Sequence, residues 1–133
     1  MILITGGAFQ GKTDYALDYI GCDKFDIIDG GTCKLEDIYE KPVIVRFHSY
    51  IKRLLKEEIE VTNFVNELYR RNPNITIVVD ELGCGVVPID PFDRRYRETV
   101  GRICCQVARQ AKEVHRVFCG IGTMIKNKEV LIN

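Results

Sequence analysis

The sequence predicts an α/β fold with a mainly parallel β-sheet of about five strands, covered by helices on both faces. Short apolar runs rich in β-branched residues alternate along the chain with longer segments whose apolar residues repeat at the helical period. The run 75–79 is apolar almost throughout, as in strands that are buried on both faces of a parallel sheet. At 133 residues, the chain suits a single domain spanning 1–133.

The first half of the chain predicts three strands and one helix. Residues 1–5 form an apolar strand that ends at a glycine pair, and residues 13–20 follow as a helix. Residues 25–28 predict a second strand, closed by a turn at 29–31, and residues 43–47 predict a third.

The second half predicts further helices and strands. Residues 49–71 have helical periodicity with a break around 61–63, which indicates one or two helices. The sequence then predicts a strand at 75–79, a helix at 92–112 and a strand at 114–119. The last segment, 122–132, is consistent with a hairpin that turns near Asn127. Because parallel strands end at one edge of a sheet, a ligand is expected there.

Composition narrows the range of partners. Lys plus Arg and Asp plus Glu number 19 each, so no overall charge favours nucleic acid or an anionic membrane, and neither is expected as a partner. The six cysteines include no CxxC pair and are expected to be free thiols, with Cys104 and Cys105 as small core residues. The opening apolar run is too short for a signal peptide, which favours a cytoplasmic location.

A phosphate-binding motif lies between the first strand and the first helix. The residues match the pattern G-x-x-x-x-G-K-[ST] in the required context, which predicts a P-loop nucleotide-binding domain of three layers. Lys12 would reach the β and γ phosphates of ATP or GTP, and the Thr13 hydroxyl would bind Mg²⁺. The alternative is a glycine-rich turn that matches by accident. The motif comprises Gly6, Gly7, Ala8, Phe9, Gln10, Gly11, Lys12 and Thr13.

Two carboxylates follow the strand at 75–79. Asp80 is expected to hold Mg²⁺ through water, and Glu81 to act as the general base, with Asp29 as the other candidate base. The alternative is that both acids simply end a strand and stay solvated.

Two further motifs resemble the adenosylcobinamide kinase / adenosylcobinamide-phosphate guanylyltransferase family of cobalamin biosynthesis. They are E-x-G-x-G-x-V-P over 81–88 and R-x-x-x-G-R over 97–102, and the segments 2–8 and 120–122 also resemble that family. The resemblance implies a kinase that phosphorylates the aminopropanol hydroxyl of adenosylcobinamide and then attaches GMP from GTP through a guanylylated histidine. It also implies a homo-oligomer, and it is the sole basis for expecting GTP.

Two glycines and three arginines in or beside these motifs are candidates for contact with the nucleotide. Gly83 and Gly85 would let the backbone turn close to it, although a simple strand-to-helix connection is the alternative. Arg94, Arg97 and Arg102 lie near one face of the predicted helix and could meet phosphate charge, although a solvated arginine face is the alternative.

The chain departs from the family between the second and third strands. Family members carry a longer segment there with the guanylylated histidine, whereas residues 30–42 contain no histidine. The chain therefore resembles a shortened member, in which guanylyl transfer is doubtful. His48 is the only candidate substitute nucleophile, and a surface or capping role is the alternative.

Three functions are consistent with the sequence. The leading hypothesis is a magnesium- and nucleotide-dependent kinase acting on a cobinamide-like acceptor. The others are a non-catalytic nucleotide-binding module derived from that family and a P-loop kinase for another small alcohol.

Overall fold

A computed structural model describes residues 1–82 and 88–128, which form one β-sheet flanked by helices. Short 3₁₀ turns at Lys24–Asp26 and Leu35–Tyr39 connect parts of the first half. The strands and helices, in chain order, are β1 (Ile2–Gly6), α1 (Lys12–Ile20), β2 (Ile27–Asp29), β3 (Val43–Val45), α2 (Phe47–Lys56), α3 (Phe64–Arg71), β4 (Thr76–Asp80), α4 (Pro91–Gln110), β5 (Glu113–Phe118) and β6 (Ile121–Asn127).

The sheet confirms the predicted α/β fold. In the described residues it has six strands in the order β2-β3-β4-β1-β5-β6, and every neighbouring pair is parallel except β5 and β6. The strand beyond the expected five is β6, which forms an antiparallel hairpin with β5. Gly6 at the end of β1 is paired with Asp80 at the end of β4. This register places the end of the first strand beside the acid that follows the fourth.

Alternation of side chains along β1 and β4 creates two cores, because successive residues of a strand point to opposite faces. Leu3 and Ile77 are buried in the larger core, to which α2, α3 and α4 contribute. Ile4 and Val78 are buried in a smaller core with Ala16 of α1. The sheet is therefore the middle of three layers, with α1 packed on one face and the other helices on the opposite face.

Local signals explain where the helices begin and end. Helix α1 lies between Gly11 and Gly21, both in the left-handed conformation that glycine adopts without steric cost. Helix α4 begins at Pro91, and the carboxylate of Asp90 accepts a hydrogen bond from the Phe92 amide at 2.8 Å. The predicted break within 49–71 is confirmed by the separation of α2 from α3.

Two expected boundaries were wrong. The third strand ends at Val45 instead of residue 47, because Arg46 adopts a φ of 53° and Phe47 begins α2. The second strand begins at Ile27 instead of residue 25, because Lys24–Asp26 form a 3₁₀ turn. The antiparallel hairpin of β5 and β6 turns at Cys119 and Gly120, which have φ angles of 51° and 76°. Residues 129–132 of the predicted hairpin lie outside the described residues, as do Gly83, Cys84 and Gly85.

The cysteines that the structure describes are free thiols. Cys104 packs against the larger core, and burial raises the pKa of its thiol to about 12. Cys105 is exposed, so the expectation that it belongs to the core was wrong, because it lies on the outer face of α4. Of the helices within 1–82 and 88–128, none has the length and apolar character that a membrane span requires.

Candidate nucleotide-binding site

The predicted phosphate loop connects β1 to α1 across residues 7–11. Its backbone is unusual at two positions, since Phe9 has a φ of 60° and Gly11 a φ of 81°. A Cβ at Gly11 would lie 3.2 Å from the Gly120 Cα, so the loop also passes close to the β5–β6 turn. The amides in the first turn of α1 have no partner within the helix, and such amides are a favourable environment for an anion.

Gln10 ties this loop to the hairpin. Its backbone oxygen accepts a hydrogen bond from the Gly120 amide at 2.8 Å, and its side-chain Oε1 accepts one from the Cys119 amide at 2.8 Å. The sequence suggested no specific contact for Gln10. These bonds hold the loop from the side of β5 and β6, whereas Phe9 at its tip is fully exposed.

Lys12 and Asp80, which the sequence assigned to the same site, are in direct contact. The Lys12 Nζ lies 2.7 Å from the Asp80 Oδ1 and donates to the Gly7 carbonyl oxygen at 2.7 Å. Lys12 is buried, with 7% of its side chain exposed. A buried ammonium needs such partners, because leaving a charge without them in a low-dielectric environment is costly. The pair thus fixes the ammonium group beside the phosphate loop.

His48 lies in the first turn of α2, with both of its ring nitrogens directed at Asp80. Its Nδ1 accepts a hydrogen bond from the Asp80 amide at 3.1 Å, and its Nε2 lies 3.5 Å from the Asp80 Oδ2. Burial lowers the pKa of His48, with Arg46 and Lys12 adding to the effect and Asp80 opposing it. The acceptor role of Nδ1 and the lowered pKa both favour a neutral ring with its proton on Nε2.

Glu81 points toward β5 and contacts Arg116 through both of its oxygens. The Arg116 Nε and Nη2 lie 3.0 and 3.2 Å from the two carboxylate oxygens, a geometry that fixes the orientation of the carboxylate. The Glu81 amide also donates to the Gly6 oxygen at 2.9 Å. Glu81 is therefore held at the same edge of the sheet as the phosphate loop.

The sequence analysis missed Arg46 and Tyr96, among other residues at the site. Arg46, at the end of β3, lines the cavity in front of the phosphate loop, and its guanidinium lies 3.2 Å from the Asp29 carboxylate. Tyr96, on α4, has its pKa raised to about 12 by burial and by the nearby Asp80 carboxylate. Arg46 carried one available signal, since it follows a predicted strand at the edge where ligands bind.

The cavity in front of the loop has a volume of about 350 Å³. One wall of the cavity is formed by the loop and the start of α1, and the other by β4 and by Arg46, which follows β3. Its lining residues are Phe9, Gln10, Gly11, Lys12, Thr13, Asp14, Arg46, Val78 and Asp80.

The three predicted phosphate-binding arginines of α4 are not brought together. The Arg94 Nη2 donates to the Ile89 oxygen at 3.1 Å, and the Arg97 Nε donates to the Leu82 oxygen at 2.6 Å. Arg102 lines a different pocket of about 260 Å³, together with Thr62 and residues further along α4. Positions that share one side of a helix wheel can still face different parts of the structure along a helix of 20 residues.

The side chains around the cavity fit Mg²⁺ chemically. Thr13 and Asp80 both line it and offer a hydroxyl and a carboxylate oxygen, the hard donors that Mg²⁺ prefers. In the part of the chain that the structure describes, no group of three or more His, Cys, Asp or Glu side chains could hold a metal ion alone. A magnesium ion at this cavity would therefore need ligands from a bound phosphate or from water.

The sequence match to known proteins is extensive. Residues 43–125 match the family described as cobinamide kinase / cobinamide phosphate guanyltransferase. The chain belongs to this family. The matched range includes Arg46, His48, Asp80 and Glu81, whereas the phosphate loop precedes it.

Two relatives of the cobinamide kinase family are each named bifunctional adenosylcobalamin biosynthesis protein CobU. The protein from Escherichia coli K12 is 34% identical over 67 residues, which are 50% of this chain and 37% of the relative. The protein from Salmonella typhimurium LT2 is 30% identical over 79 residues, or 59% of this chain and 42% of the relative. The matches thus span less than half of each relative, while membership of the cobinamide kinase family confirms the predicted resemblance.

Proposed function

We propose that this chain binds ATP or GTP with Mg²⁺ at the phosphate loop and transfers the terminal phosphate to a hydroxyl of a cobinamide-like acceptor. One observation carries the proposal: the Lys12 ammonium lies between the Gly7 carbonyl and the Asp80 carboxylate, directly beside the first turn of α1. This arrangement puts a cation, an acid and helix amides at one cavity, as phosphoryl transfer requires.

Binding would proceed by exchange of partners. The loop amides and the positive end of α1 take the phosphates, and Lys12 leaves Asp80 to contact them. Asp80 and Thr13 would hold Mg²⁺, which when bound neutralises phosphate charge. Because phosphoryl transfer demands little covalent chemistry from the protein, positioning and charge neutralisation by these residues supply most of the catalysis.

The acceptor hydroxyl would approach from the side of Glu81 and Tyr96. A cavity of about 200 Å³ lies beside Tyr96 and is lined by Leu82, which directly follows Glu81, and by Pro88, Asp93, Tyr96 and Arg97. The carboxylate of Glu81 is oriented by Arg116 at 3.0 Å and is our candidate for the base that accepts the hydroxyl proton. Asp29 is a weaker candidate, because it ends β2, which β3 and β4 separate from β1 and the phosphate loop.

His48 is better suited to positioning Asp80 than to accepting a guanylyl group. A histidine nucleophile must present a ring nitrogen to the reacting phosphorus. Both nitrogens of His48 are instead directed at Asp80, at 3.1 and 3.5 Å. We therefore propose kinase activity without guanylyl transfer through this residue.

The test combines binding with turnover. Calorimetry with Mg-ATP and Mg-GTP would measure affinity and base preference, and transfer of labelled γ-phosphate to adenosylcobinamide would measure activity. Lys12→Ala should lower turnover by about 10²-fold or more, since it removes charge stabilisation in the transition state. Lys24→Ala, an exposed residue of the first 3₁₀ turn, is the matched control and should retain full activity.

The outcomes separate the competing hypotheses. Nucleotide binding without phosphorylation of adenosylcobinamide would favour the non-catalytic module. Phosphorylation of a different alcohol would support a kinase that uses the same nucleotide site with another acceptor. The absence of binding heat for every nucleoside triphosphate would refute the proposed function altogether.

A further inference from the structure

We infer that Arg46 is a third cation for the bound polyphosphate, in addition to Lys12 and Mg²⁺. Its guanidinium contacts the terminal phosphate, and this contact makes the site select triphosphates over diphosphates. The inference rests on the proposed nucleotide site. The sequence alone assigns no function to Arg46, whereas its position, backbone conformation and electrostatic partners all support this role.

The topology puts Arg46 opposite the phosphate loop. Strand β4 lies between β1, which leads into the loop, and β3, which ends just before Arg46. Arg46 and Lys12 line the same cavity of about 350 Å³, and Asp80 ends β4, the strand between β1 and β3. A phosphate chain that begins at the loop and extends past Asp80 therefore approaches Arg46 with its far end, which is the γ-phosphate.

The backbone around Arg46 is shaped to present this side chain. Arg46 has a φ of 53°, an uncommon conformation for a residue with a Cβ. A Cβ at Gly30 would collide with the Arg46 carbonyl oxygen, and one at Gly31 would lie 3.1 Å from the Arg46 Nη1. Such outliers persist where the surrounding structure enforces them and are frequent at ligand-binding positions. The glycine turn after β2 thus makes room for the arginine.

The electrostatic partner of Arg46 can be exchanged. The Nη1 lies 3.2 Å from the Asp29 Oδ2, but 56% of the Arg46 side chain and 38% of the Asp29 side chain are exposed. Exposed ion pairs contribute little to stability because water screens them. A terminal phosphate carries more charge than a carboxylate and accepts two parallel hydrogen bonds from a guanidinium, so it can compete successfully for Arg46.

A purely structural role is the competing explanation. The Asp29–Arg46 pair connects the ends of β2 and β3 and could serve only to hold these strands. The two roles differ in what Asp29→Asn does. In the wild type, the backbone N–H of Gly31 donates to the Asp29 Oδ1 at 2.8 Å. The side-chain oxygen of the variant can still accept this hydrogen bond, but the negative charge that holds Arg46 is removed. If Arg46 serves the phosphate, triphosphate affinity should be maintained or increased.

The experiment measures the affinity of the full chain for ATP and ADP, each with Mg²⁺, by calorimetry. Arg46→Gln should weaken ATP binding about tenfold, the effect of one charge-assisted contact, and ADP binding by less than about twofold. Arg46→Lys should fall between the wild type and Arg46→Gln, since a lysine keeps the charge without the planar fork. Arg70→Gln, which removes an exposed arginine from α3, should change neither affinity.

Each result supports or overturns the inference. Equal losses for ATP and ADP, or no loss for either, would overturn it, and so would a tenfold loss of ATP affinity in Asp29→Asn. If Arg46→Gln does not fold, Arg46→Lys and Asp29→Asn make the same distinction. A wild-type protein that binds neither nucleotide would refute the proposed function, which separates that failure from a failure of this inference.

Discussion

Replacing Gly6 by alanine tests how tightly the phosphate loop is packed against β5. Gly6 is the last residue of β1, and a Cβ built on it would lie 2.5 Å from the carbonyl oxygen of Val117 and 3.3 Å from the Cδ of Lys12. A backbone oxygen cannot rotate away as a flexible side chain can. Either β1 and β5 must move apart, or the start of the loop must shift.

The magnitude follows from two opposing terms. Forcing an extra methyl group into a packed interior costs about 1–3 kcal/mol. Alanine also restricts the unfolded chain, which stabilises the folded state by about 0.4–1 kcal/mol. Gly6→Ala should therefore lower the free energy of unfolding by about 1–2 kcal/mol. Gly101→Ala is the matched control, because Gly101 lies within α4 and an added Cβ there would have no contact within 4 Å beyond its neighbours and the helix backbone. This variant should gain about 0.5–1 kcal/mol.

Urea unfolding monitored by circular dichroism measures both variants, and equal slopes against denaturant show that the midpoints can be compared. Calorimetry with Mg-ATP adds a second readout. The crowding at Gly6 also reaches the side chain of Lys12, so Gly6→Ala should weaken nucleotide binding while Gly101→Ala should not. A stabilising effect of the same size in both variants would refute the packing argument.

Two other predictions concern the partly buried His48 and the contact of Tyr15 with the buried His115. Burial lowers the pKa of His48, so the unfolded chain takes up a proton as the pH falls below 6.5 while the folded chain resists it. The free energy of unfolding should therefore fall between about pH 7.5 and pH 5.5. Urea titrations of His48→Gln should show a weaker dependence of stability on pH. An unchanged dependence would contradict the lowered pKa of His48. Tyr15→Phe removes the hydroxyl that lies 2.7 Å from the Nδ1 of His115, a buried residue with 1% exposure, and should cost about 1–3 kcal/mol. Tyr69→Phe on the exposed surface should stay within about 0.5 kcal/mol of wild type, and a similar value for Tyr15→Phe would contradict the prediction.

The parts of the fold that could be predicted were those with strong local signals. The glycine pattern before Lys12 predicted the boundary between β1 and α1, because a phosphate loop needs backbone conformations that few residues other than glycine adopt. The nearly continuous apolar run at 75–79 predicted β4, since burial on both faces removes the usual alternation. Together these signals were sufficient to predict the contact region of Lys12 and Asp80.

The end of β3 could not be predicted because the apolar pattern continues past it. Val43, Ile44 and Val45 form the strand, and Phe47 is fully buried as the first residue of α2. A pattern of burial cannot distinguish a further strand residue from a helix that begins in the core. The change of direction occurs at Arg46, whose positive φ has no sequence signal of the kind that glycine provides.

Contacts between distant elements were also inaccessible to sequence patterns. Gln10 occupies a variable position of the motif, yet it bonds to the turn between β5 and β6. Arg102 shares a helix with Arg97 but faces a separate pocket. Both facts depend on how the elements pack in three dimensions, which helical periodicity and motif spacing do not specify.

The carboxyl edge of the sheet explains how a chain with equal numbers of acidic and basic residues could form the proposed anion site. Three cations at this edge are each held by an acid: Lys12 by Asp80 at 2.7 Å, Arg46 by Asp29 at 3.2 Å and Arg116 by Glu81 at 3.0 Å. These pairs hold the cations in place, which would reduce the ordering cost of the proposed polyphosphate binding. The pairs differ in burial, since Lys12 is buried while both arginines are mostly exposed. Replacing the acid partner by a phosphate should therefore cost most at Lys12, because Asp80 would lose its cation in a buried environment. Asp80 then needs another cation, and this requirement couples the proposed binding of a polyphosphate to that of a divalent ion.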